Sequence, residues 1–526
     1  MSAHVDRFVR DYLPPREQWP QLRFTLPELQ FPDIYNASSI LDRTIEDGFG
    51  AHNAVLCASS ALTYEALLRE TCRIAHVLRC DFGLAPGNRV LIHASNTLWS
   101  IAIWWAVFRA GGIAVGAMPM LRAHELAVIL NKAQVSHAIV DTHRTAELAQ
   151  AQRDAPTLRH ILPMDQLERR MAAAPDHCDT IPTAADDPAL IAFTSGTTGT
   201  PKGCVHFHRD IAAMAETFSR HVLQPKPTDI FIGTPPLAFT FGLGAGAVFP
   251  ASAGAASVIC DQPGFDVLAD TIARHKATTL FTSPTGYRAL LKIYDARLAS
   301  LHTCVSAGEH LPQATSDQWF ERAGIRIIDG IGSTEMIHIF VSARGDDIRP
   351  GATGKAVPGY EATLLDDNDA PFDGEGAGRL AIRGPTGCRY LADERQKNYV
   401  INGWNVTGDL YRRDAEGYFW YIARADDMII SSGYNIGAPE VENALLTHDA
   451  VAEAVVIGAP DEARGQIVKA FVVLKPGATA SEKALQDHVK ATIAPYKYPR
   501  AIAFVSELPK THTGKLQRFK LREPSP

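Results

Sequence analysis

The sequence has few of the cysteine and charge patterns that define several protein classes. Its eight cysteines are scattered, with no C-x-x-C pair and no short Cys/His spacing suited to zinc. This argues against a zinc module and against a disulfide-bonded secreted domain, and it predicts free thiols in a reducing compartment. The 51 Lys and Arg residues do not outnumber the 58 Asp and Glu residues, and the net charge is -7. Because nucleic-acid binders usually carry a basic face, we expect neither DNA nor RNA as a partner.

The sequence also lacks a long uninterrupted hydrophobic run. The most apolar stretch, residues 101–121, is interrupted by Arg109 and by Gly111 and Gly112, whereas a membrane-spanning helix needs about 20 consecutive apolar residues. We predict a buried helix followed by a buried strand there. The N-terminal residues 1–15 have no apolar signal-peptide core. The expected location is therefore the cytoplasm, without a membrane segment.

What the sequence does have is the length and composition of a multidomain globular protein. It contains 526 residues, of which 46% are hydrophobic and 21% are charged. From about residue 50 to 425, short apolar runs alternate with helical patterns, which predicts parallel sheets flanked by helices. The predicted strands include residues 89–95, 137–141, 189–194, 278–283 and 325–329.

The C-terminal part has a different pattern. Residues 378–425 contain β-rich segments joined by turn residues, which predicts antiparallel hairpins. A second unit starts near Asp427, with Pro439 placed to open a helix. A later helix is predicted to begin with a capping box formed by Thr479 and Glu482. Its apolar face comprises Leu485, Val489 and Ile493. This pattern predicts a small α+β domain.

The most informative segment is the Ser-, Thr- and Gly-rich run TSGTTGTPKG at residues 194–203. It follows an apolar strand and precedes apolar positions at helical spacing, so we expect it to join a strand to a helix. Hydroxyls and unhindered backbone N–H groups, together with the charge of Lys202, are the parts needed to bind a polyphosphate. The run is not a Walker A loop, because Pro201 stands where that motif has glycine.

This run and the motifs after it resemble those of the adenylate-forming superfamily, which contains acyl- and aryl-CoA ligases, luciferases and peptide-synthetase adenylation domains. In chain order the matching segments are TSGTTGTPKG at 194–203, SAGE at 306–309, DGIGSTE at 329–335, WNVTGD at 404–409, RADD at 424–427, SSGYN at 431–435 and PKTHTGK at 509–515. The resemblance implies an α/β fold with two domains. Residues 1–425 would form a large N-terminal domain of parallel-rich sheets flanked by helices, with a β-barrel-like antiparallel part. Residues 426–526 would form a small mobile α+β lid that rotates about a hinge at Asp426.

The resemblance assigns nucleotide-binding roles to residues from both parts of the chain. It implies that Glu335 holds the magnesium bound to ATP, that Asp409 accepts hydrogen bonds from the ribose hydroxyls, and that Arg424 contacts the nucleotide. A single carboxylate is chemically sufficient for Mg²⁺ that also binds substrate phosphates. The complete expected ATP- and AMP-binding set is Thr194, Ser195, Gly196, Thr197, Thr198, Lys202, Ser306, Ala307, Gly308, Glu309, Asp329, Gly330, Thr334, Glu335, Asp409, Arg424 and Lys515.

The resemblance also implies which residues act in catalysis and which bind CoA. By resemblance, Lys515, Glu335 and Thr194 stabilise the charge that develops when a carboxylate attacks the α-phosphate of ATP. The residues implied beside the pantetheine arm of CoA are Ser432, Gly433 and Tyr434. Glycine suits that position because a thiol arm passing close to the backbone leaves no room for a Cβ. ATP, Mg²⁺ and CoA are thus the expected cofactors and co-substrates.

The segment PPLAFTFGLG at residues 235–244 resembles the benzoate-CoA ligase branch, and together with GWNVTGD it is similar to 2-aminobenzoate-CoA ligases. The implied acyl-binding residues are Phe239, Thr240, Phe241, Gly332 and His338. In this interpretation Phe241 stacks on an aryl ring, and His338 faces the ring or an ortho substituent. The alternative is that the phenylalanines are core residues and that His338 is a hydrogen-bonded interior histidine. His206 and His208 are expected to serve helix-start packing or hydrogen bonding.

These features together predict ATP-dependent activation of an aromatic carboxylate (2-aminobenzoate, benzoate or a hydroxybenzoate) to an acyl adenylate, followed by transfer to CoA. The products would be an aryl-CoA, AMP and pyrophosphate. Two other enzymes stay open as alternatives: a medium-chain acyl-CoA ligase, and an enzyme that loads an aryl acid onto a separate carrier protein. A catalytically silent nucleotide-binding protein is a third, which the retained Lys202, Glu335 and Lys515 argue against. The oligomeric state also stays open, with a homodimer as one alternative.

Overall fold

The computed structural model of the chain describes residues 2–58, 60–194, 201–260, 262–431, 434–461, 464–510 and 516–522. The strands within these residues are β1 Asn53–Leu56, β2 Ala61–Thr63, β3 Arg89–His93, β4 Ile113–Gly116, β5 His137–Val140, β6 His160–Pro163, β7 Pro188–Thr194, β8 Lys202–Phe207, β9 Ile230–Gly233, β10 Ala256–Val258, β11 Thr279–Thr282, β12 Thr303–Ser306, β13 Ile328–Gly332, β14 Ile339–Ser342, β15 Lys355–Ala356, β16 Glu361–Leu365, β17 Pro371–Phe372, β18 Gly376–Arg383, β19 Val400–Ile401, β20 Trp404–Arg413, β21 Phe419–Arg424, β22 Ile429–Ser431, β23 Tyr434–Ile436, β24 Val451–Asp461, β25 Gly465–Leu474 and β26 Ala501–Phe504.

The α-helices of the same residues are α1 Phe8–Asp11, α2 Ser39–Thr44, α3 Tyr64–His76, α4 Leu98–Arg109, α5 Ala123–Ala133, α6 Thr145–Gln152, α7 Met164–Met171, α8 His208–Met214, α9 Thr240–Leu243, α10 Phe249–Ala253, α11 Phe265–His275, α12 Pro284–Lys292, α13 Gln313–Ala323, α14 Gln396–Tyr399, α15 Ala438–Leu446 and α16 Glu482–Thr492.

Two sheets, mostly parallel, form the N-terminal part. The first has the strand order β15-β14-β13-β12-β11-β9-β10-β1-β2, and its strands from β13 to β1 run parallel. The second has the order β6-β5-β3-β4-β7-β8, with only β8 antiparallel to its neighbour. Strand β3 is buried along its whole length, as expected for a continuous apolar run in a parallel sheet covered on both faces. The predicted alternation of strands and helices is confirmed.

The most apolar stretch of the sequence is a buried helix followed by a buried strand, as predicted. Helix α4 ends at Arg109, and β4 follows four residues later. The Arg109 guanidinium is buried but donates to both carboxylate oxygens of Asp42, at 2.9 and 3.1 Å, which satisfies its charge. Within the described residues, no helix combines the length and the apolar character that a bilayer-crossing segment needs.

Two antiparallel regions complete the fold. Strands β17-β16-β18-β20-β19 form one sheet, with β21 added on β20, so the hairpins predicted for residues 378–425 are confirmed. The C-terminal sheet has the order β23-β22-β25-β24, with β26 parallel to β25. Helices α15 and α16 cover it, and their buried residues share a core with β24 and β25. The predicted α/β fold class, with an antiparallel part and a C-terminal α+β unit, is confirmed.

Two local predictions are wrong. The segment after the phosphate loop begins with a strand, β8, which pairs with β7 before α8 starts at His208. The helix predicted to begin with Thr479 and Glu482 is capped by Ser481, whose hydroxyl accepts the N–H of Ala484 at 3.1 Å. Ser481 directly precedes the first helical residue, so its short side chain reaches the free N–H groups that Thr479 cannot.

Smaller details follow the predictions more closely. Strand β13 begins at Ile328, three residues later than predicted, whereas β3, β5, β7 and β11 lie within one or two residues of the predicted strands. Pro439 lies in the first turn of α15, as predicted. The eight cysteines are all free thiols.

Candidate active site

Several of the predicted nucleotide-binding residues lie on or next to two neighbouring parallel strands. Ser306, the last residue of β12, pairs with Asp329 near the start of β13, and Glu309 follows three residues after Ser306. Ala307 and Gly308 form the turn after β12, and Gly330 continues β13. Within the described residues, Ser306 Oγ, Glu309 Oε1 and Asp329 Oδ1 are buried without a hydrogen-bond partner. Because buried polar atoms are nearly always paired, this edge has free hydrogen-bonding capacity for a polar ligand.

Asp329 differs electrostatically from an ordinary aspartate. Burial raises the pKa of its carboxyl to about 7, although the backbone N–H of Gly330 acts in the opposite direction. Removing the carboxylate from water disfavours its charged form. Near neutral pH the group therefore exists in both protonation states and can donate or accept a hydrogen bond.

The phosphate loop joins two antiparallel strands. Thr194 ends β7 and pairs directly with Lys202, which begins β8. The predicted strand-to-helix junction is thus wrong, because strand β8 follows the loop. The predicted phosphate-binding residues Ser195, Gly196, Thr197 and Thr198 lie outside the described residues. Thr194 Oγ1 is buried and has no partner among the residues that are described.

A tyrosine links the phosphate-loop lysine to the expected magnesium carboxylate. Lys202 Nζ donates to the Tyr390 hydroxyl at 2.7 Å, and this hydroxyl donates to Glu335 Oε1 at 2.5 Å. Lys202 Nζ itself lies 3.7 Å from Glu335 Oε1 and 4.6 Å from the centroid of the Tyr390 ring. Burial and the Glu335 carboxylate raise the pKa of the Tyr390 phenol. The phenol therefore stays neutral, and its proton is directed at Glu335.

Glu335 lies in a tight turn between β13 and β14. Its residue is 7% exposed, and the turn also contains Thr334 and Ile337. Ile337 is fully buried and has φ of +68°, a left-handed conformation that a β-branched residue rarely adopts. Gly332 precedes the turn, and a Cβ there would lie 2.7 Å from the carbonyl oxygen of His338. The backbone thus reverses sharply between Glu335 and His338.

Asp409, predicted to bind the ribose, and Arg424, predicted to contact the nucleotide, are cross-strand neighbours. Asp409 on β20 pairs with Arg424 at the end of β21, and Arg424 Nη1 lies 3.2 Å from Asp409 Oδ1. Gly408 has φ of +76°, and a Cβ there would lie 3.2 Å from the Arg424 guanidinium. Glycine at this position therefore allows the arginine to lie across the backbone beside the aspartate.

The predicted acyl-binding residues come together around His338. Its ring lies 5.6 Å from the Phe241 ring, 4.6 Å from Phe249 and 5.3 Å from Phe218, between ring centroids. Burial lowers the pKa of His338 to about 3, and the Phe241 backbone offsets only part of that effect. Neither ring nitrogen has a hydrogen-bond partner within the described part of the chain. The alternative of a hydrogen-bonded interior histidine is therefore not what the structure shows.

The other predicted acyl-binding residues of this segment adjoin Phe241 in the chain. Thr240 and Phe241 open α9, and Phe239 is the residue before it. Phe241 is only partly buried and also contacts the Phe281 ring at 5.7 Å. A Cβ on Gly244 of the same segment would lie 2.7 Å from His338 Cδ2. The PPLAFTFGLG segment thus wraps around one side of His338.

The C-terminal site residues are only partly described. Ser432, Gly433 and Lys515 lie outside the described residues. Tyr434 begins β23, is 54% exposed and stacks on Tyr496 with ring centroids 4.6 Å apart. Asp426 lies in the short 3-10 turn Ala425–Asp427 that connects β21 to β22. Asn443 of α15 contacts His310, with 3.4 Å between Nδ2 and Nε2, so the C-terminal unit touches the segment after Glu309.

Sequence reasoning missed Tyr390. It is 188 residues from Lys202 in sequence and 55 from Glu335, so no local spacing relates the three. Only the tertiary structure places the GCRY segment next to β8, where Cys204 pairs with Tyr390 in an isolated bridge. The sequence shows only that an aromatic residue follows Arg389, and this pattern does not identify a partner for Tyr390.

Comparisons with known proteins define the class. The AMP-binding enzyme family model matches residues 44–390, and the AMP-binding enzyme C-terminal domain model matches residues 440–515. The chain is 35% identical over 514 residues to benzoate–CoA ligase of Thauera aromatica, covering 95% of this chain and 98% of that protein. The chain therefore belongs to the AMP-binding enzyme family, as the sequence motifs predict.

Two further relatives lie in the predicted branch. The chain is 33% identical over 510 residues to 4-hydroxybenzoate–CoA/benzoate–CoA ligase of Rhodopseudomonas palustris, covering 93% of this chain and 94% of that protein. The fold of this chain is similar to the crystal structure of the anthranilate CoA ligase AuaEII in complex with anthranoyl-AMP, with a TM-score of 0.89 and 34% identity. The match covers 94% of this chain and 98% of that chain. The predicted resemblance to the benzoate-CoA ligase branch is confirmed.

Proposed function

We propose that this chain joins an aromatic carboxylic acid to CoA at the expense of ATP. A carboxylate oxygen attacks the α-phosphorus of ATP, which forms an acyl adenylate and releases pyrophosphate. The CoA thiol then attacks the acyl carbon, which forms the thioester and releases AMP. The observation that carries this proposal is the set of buried polar atoms on Ser306, Glu309, Asp329 and Thr194 that have no partner within the described residues. Thr194 pairs across the strands with Lys202, and the strand of Asp329 leads into the Glu335 turn.

The charges at the site are suited to the first half-reaction. Attack of a carboxylate on ATP brings two anions together, so positive charge must be supplied where negative charge builds up. The chain as a whole has a net charge of -7, so that charge must be local. Lys202 and Arg424 supply it within the described residues, and we assign the same role to Lys515.

The donor set fits a magnesium ion that arrives with ATP. Within the described residues, no three His, Cys, Asp or Glu side chains converge to hold a metal, so Glu335 would share the ion with phosphate oxygens. The Tyr390 hydroxyl donates a hydrogen bond to Glu335 Oε1. The second carboxylate oxygen keeps its lone pairs for the metal ion. When bound, Mg²⁺ supplies positive charge to the phosphates. Lys202 and Tyr390 fix the carboxylate that holds it.

The acyl pocket favours an aryl ring. His338, Phe241 and Phe249 present flat, largely apolar surfaces to one another, and aromatic pairs of this kind stabilise by about 0.5–1.5 kcal/mol. Neutral His338 has one donor and one acceptor nitrogen, and neither has a partner in the described part of the chain. We assign these nitrogens to an ortho substituent of the acid. An amino or hydroxyl group there makes 2-aminobenzoate or 2-hydroxybenzoate a better substrate than benzoate.

We further propose that the chain divides at Asp426 into an acid- and ATP-binding domain, residues 1–425, and a lid, residues 426–526. Rotation about the Ala425–Asp427 turn would first bring Lys515 to the α-phosphate. It would then bring the Ser432–Tyr434 segment to the CoA thiol. The exposed Tyr434 ring supports the second role, because it is accessible to a co-substrate. We place the reaction in the cytoplasm, where the eight free thiols stay reduced.

The two half-reactions provide the test. In Lys515→Ala, adenylation measured by aryl-acid-dependent pyrophosphate exchange should slow by at least about 100-fold, the typical effect of removing one transition-state stabiliser. Thioester formation from supplied aryl adenylate should stay within about threefold of wild type. Lys483→Ala, on the exposed surface of α16, is the matched control and should change neither rate. Equal losses in both half-reactions would remove the assigned role of Lys515.

A panel of acids tests the substrate class. Purified protein is assayed for AMP release with ATP, CoA and either 2-aminobenzoate, 2-hydroxybenzoate, benzoate or octanoate. We expect the ortho-substituted acids to have the highest kcat/KM, and octanoate to be at least about 10-fold worse. Higher kcat/KM with octanoate would contradict the aryl pocket. AMP release that needs a carrier protein instead of CoA would contradict the acceptor.

A further inference from the structure

A fully buried ion pair lies outside the substrate-binding residues. The side chains of Arg389 and Asp210 are both 0% exposed, and Arg389 Nη1 lies 2.8 Å from Asp210 Oδ2. The guanidinium carbon of Arg389 also lies 4.0 Å from the centroid of the Phe207 ring. Asp210 also accepts the backbone N–H of Phe207 at 3.0 Å. Burying such a pair costs several kcal/mol in desolvation and is weak evidence for stability, so its effect on neighbouring groups is the informative feature.

His206 extends this pair toward the active site. The ring lies on β8 and is fully buried; its Nδ1 is 3.7 Å from Asp210 Oδ2, and its Nε2 is 2.7 Å from the carbonyl oxygen of Thr334. A carbonyl oxygen only accepts hydrogen bonds, so Nε2 must carry a hydrogen. The Asp210 carboxylate favours a hydrogen on Nδ1 as well. The imidazole is therefore hydrogen-bonded through Nε2, whereas Nδ1 faces the Asp210 carboxylate at 3.7 Å without a hydrogen bond within the described residues.

The acceptor of this hydrogen bond is the residue before the magnesium carboxylate. Thr334 directly precedes Glu335. On the other side of Glu335, the backbone carbonyl of Met336 accepts a hydrogen bond from the Thr386 hydroxyl at 2.9 Å. The Glu335 side chain itself accepts the Tyr390 hydroxyl. The turn is thus held on both sides of Glu335 and at its carboxylate, with His206 as the contact on the N-terminal side.

We propose that His206 is a positioning residue for the magnesium carboxylate. Its Nε2–H donates to the Thr334 carbonyl, the Asp210 carboxylate that Arg389 pairs with faces Nδ1 on the other side of the ring, and the Thr334 contact sets the direction in which Glu335 leaves the backbone. The inference rests on the proposed role of Glu335 as the Mg²⁺ ligand. Partners that orient a metal ligand typically change metal affinity or activity by about 10- to 100-fold when they are removed.

The test measures binding rather than turnover. Isothermal titration calorimetry gives the dissociation constant of α,β-methylene-ATP with and without Mg²⁺, in the absence of acid and CoA. In His206→Leu, the tightening of nucleotide binding by Mg²⁺ should fall by about 10-fold or more, while metal-free binding stays within about twofold. In His206→Gln, whose amide can donate to the same carbonyl, most of the Mg²⁺ effect should return.

His208→Gln is the matched control. His208 is also fully buried, two residues further along the chain, but its Nδ1 accepts the N–H of Ala37 at 3.0 Å, away from the Thr334 turn. It should lose thermal stability without changing the Mg²⁺ effect. An unchanged Mg²⁺ effect in His206→Leu, or an equal loss in His208→Gln, would overturn the inference. If His206→Leu does not fold, His206→Gln and Asp210→Asn are compared in the same way, and a wild-type Mg²⁺ effect in Asp210→Asn overturns it.

Glu335→Gln separates this inference from the proposed function. Loss of the Mg²⁺ effect in Glu335→Gln together with a normal effect in the His206 variants would remove only the positioning role. A normal Mg²⁺ effect in Glu335→Gln would instead remove the proposed metal ligand itself.

Discussion

Replacing Tyr390 with phenylalanine removes a single oxygen atom at the centre of the site. In the native structure that oxygen accepts from Lys202 at 2.7 Å and donates to Glu335 at 2.5 Å. The aromatic ring remains, so the packing against Tyr399, with ring centroids 5.8 Å apart, is preserved. The substitution therefore tests the hydroxyl alone.

The expected loss follows from these two hydrogen bonds. Each involves a charged partner, and such bonds contribute about 1.5–3 kcal/mol. Part is recovered, because Lys202 and Glu335 are already 3.7 Å apart and attract each other directly. We therefore expect a net loss equivalent to one such bond, about 1.5–3 kcal/mol, or about 10- to 100-fold in kcat/KM for MgATP. The KM for the acid should change less than about twofold, because His338 and Phe241 are untouched.

Steady-state pyrophosphate exchange at varied MgATP with saturating acid, and at varied acid with saturating MgATP, gives these constants. Tyr64→Phe is the matched control: its buried hydroxyl donates to the Ala255 carbonyl at 2.5 Å, far in sequence from any predicted site residue. Both variants should lose stability, but only Tyr390→Phe should lose kcat/KM. A kcat/KM for MgATP within twofold of wild type in Tyr390→Phe would refute the idea that the hydroxyl holds the lysine and the carboxylate in their working positions.

Three further perturbations have definite signs. The pKa of Asp329 is about 7 in the native state, against 3.8 in the unfolded chain. The native state therefore binds more protons between these two pH values. As the pH rises through this range, the free energy of unfolding falls. Urea titrations at pH 4.5 and 8 should therefore show the wild type losing up to about 3 kcal/mol relative to Asp329→Asn, and parallel curves would contradict this. Gly244→Ala introduces a Cβ 2.7 Å from His338 Cδ2 and should raise the KM for the acid about 10-fold with the KM for ATP unchanged; an unchanged KM for the acid would place the pocket elsewhere. Ser481→Ala removes the N-cap of α16 and should lower unfolding free energy by about 0.5–2 kcal/mol in chemical denaturation, whereas Thr479→Ala should have little effect.

The sequence predicts the elements whose signal is local. Apolar runs such as residues 89–95 are strands because a buried parallel strand needs continuous apolar residues, and β3 lies there. The interruption of the most apolar stretch by Arg109 predicts a buried helix and strand correctly. The run TSGTTGTPKG at residues 194–203 and the run Ser-Thr-Glu at residues 333–335 are also identified from the sequence, because each motif is defined by the order of neighbouring residues.

The errors occur where a local pattern has two solutions. Residues 202–207 read as the approach to a helix, but pairing with β7 makes them a strand, and this pairing is a contact between strands rather than a property of the segment. The capping prediction at Thr479 failed because Ser481 lies closer to the free N–H groups of α16. A strand neighbour in space decides the first case, and a shift of two residues in the helix start decides the second.

The sequence by itself determined the family and the α/β class, because both are encoded in residue order over short stretches. Only the tertiary structure decided that Tyr390 connects Lys202 to Glu335, that His206 contacts the Thr334 carbonyl, and that His338 is buried among phenylalanines with no hydrogen-bond partner in the described part of the chain. Hydrogen bonds and burial act over a few ångströms in space. Residues that are 188 positions apart come within that range only when the sheets have formed.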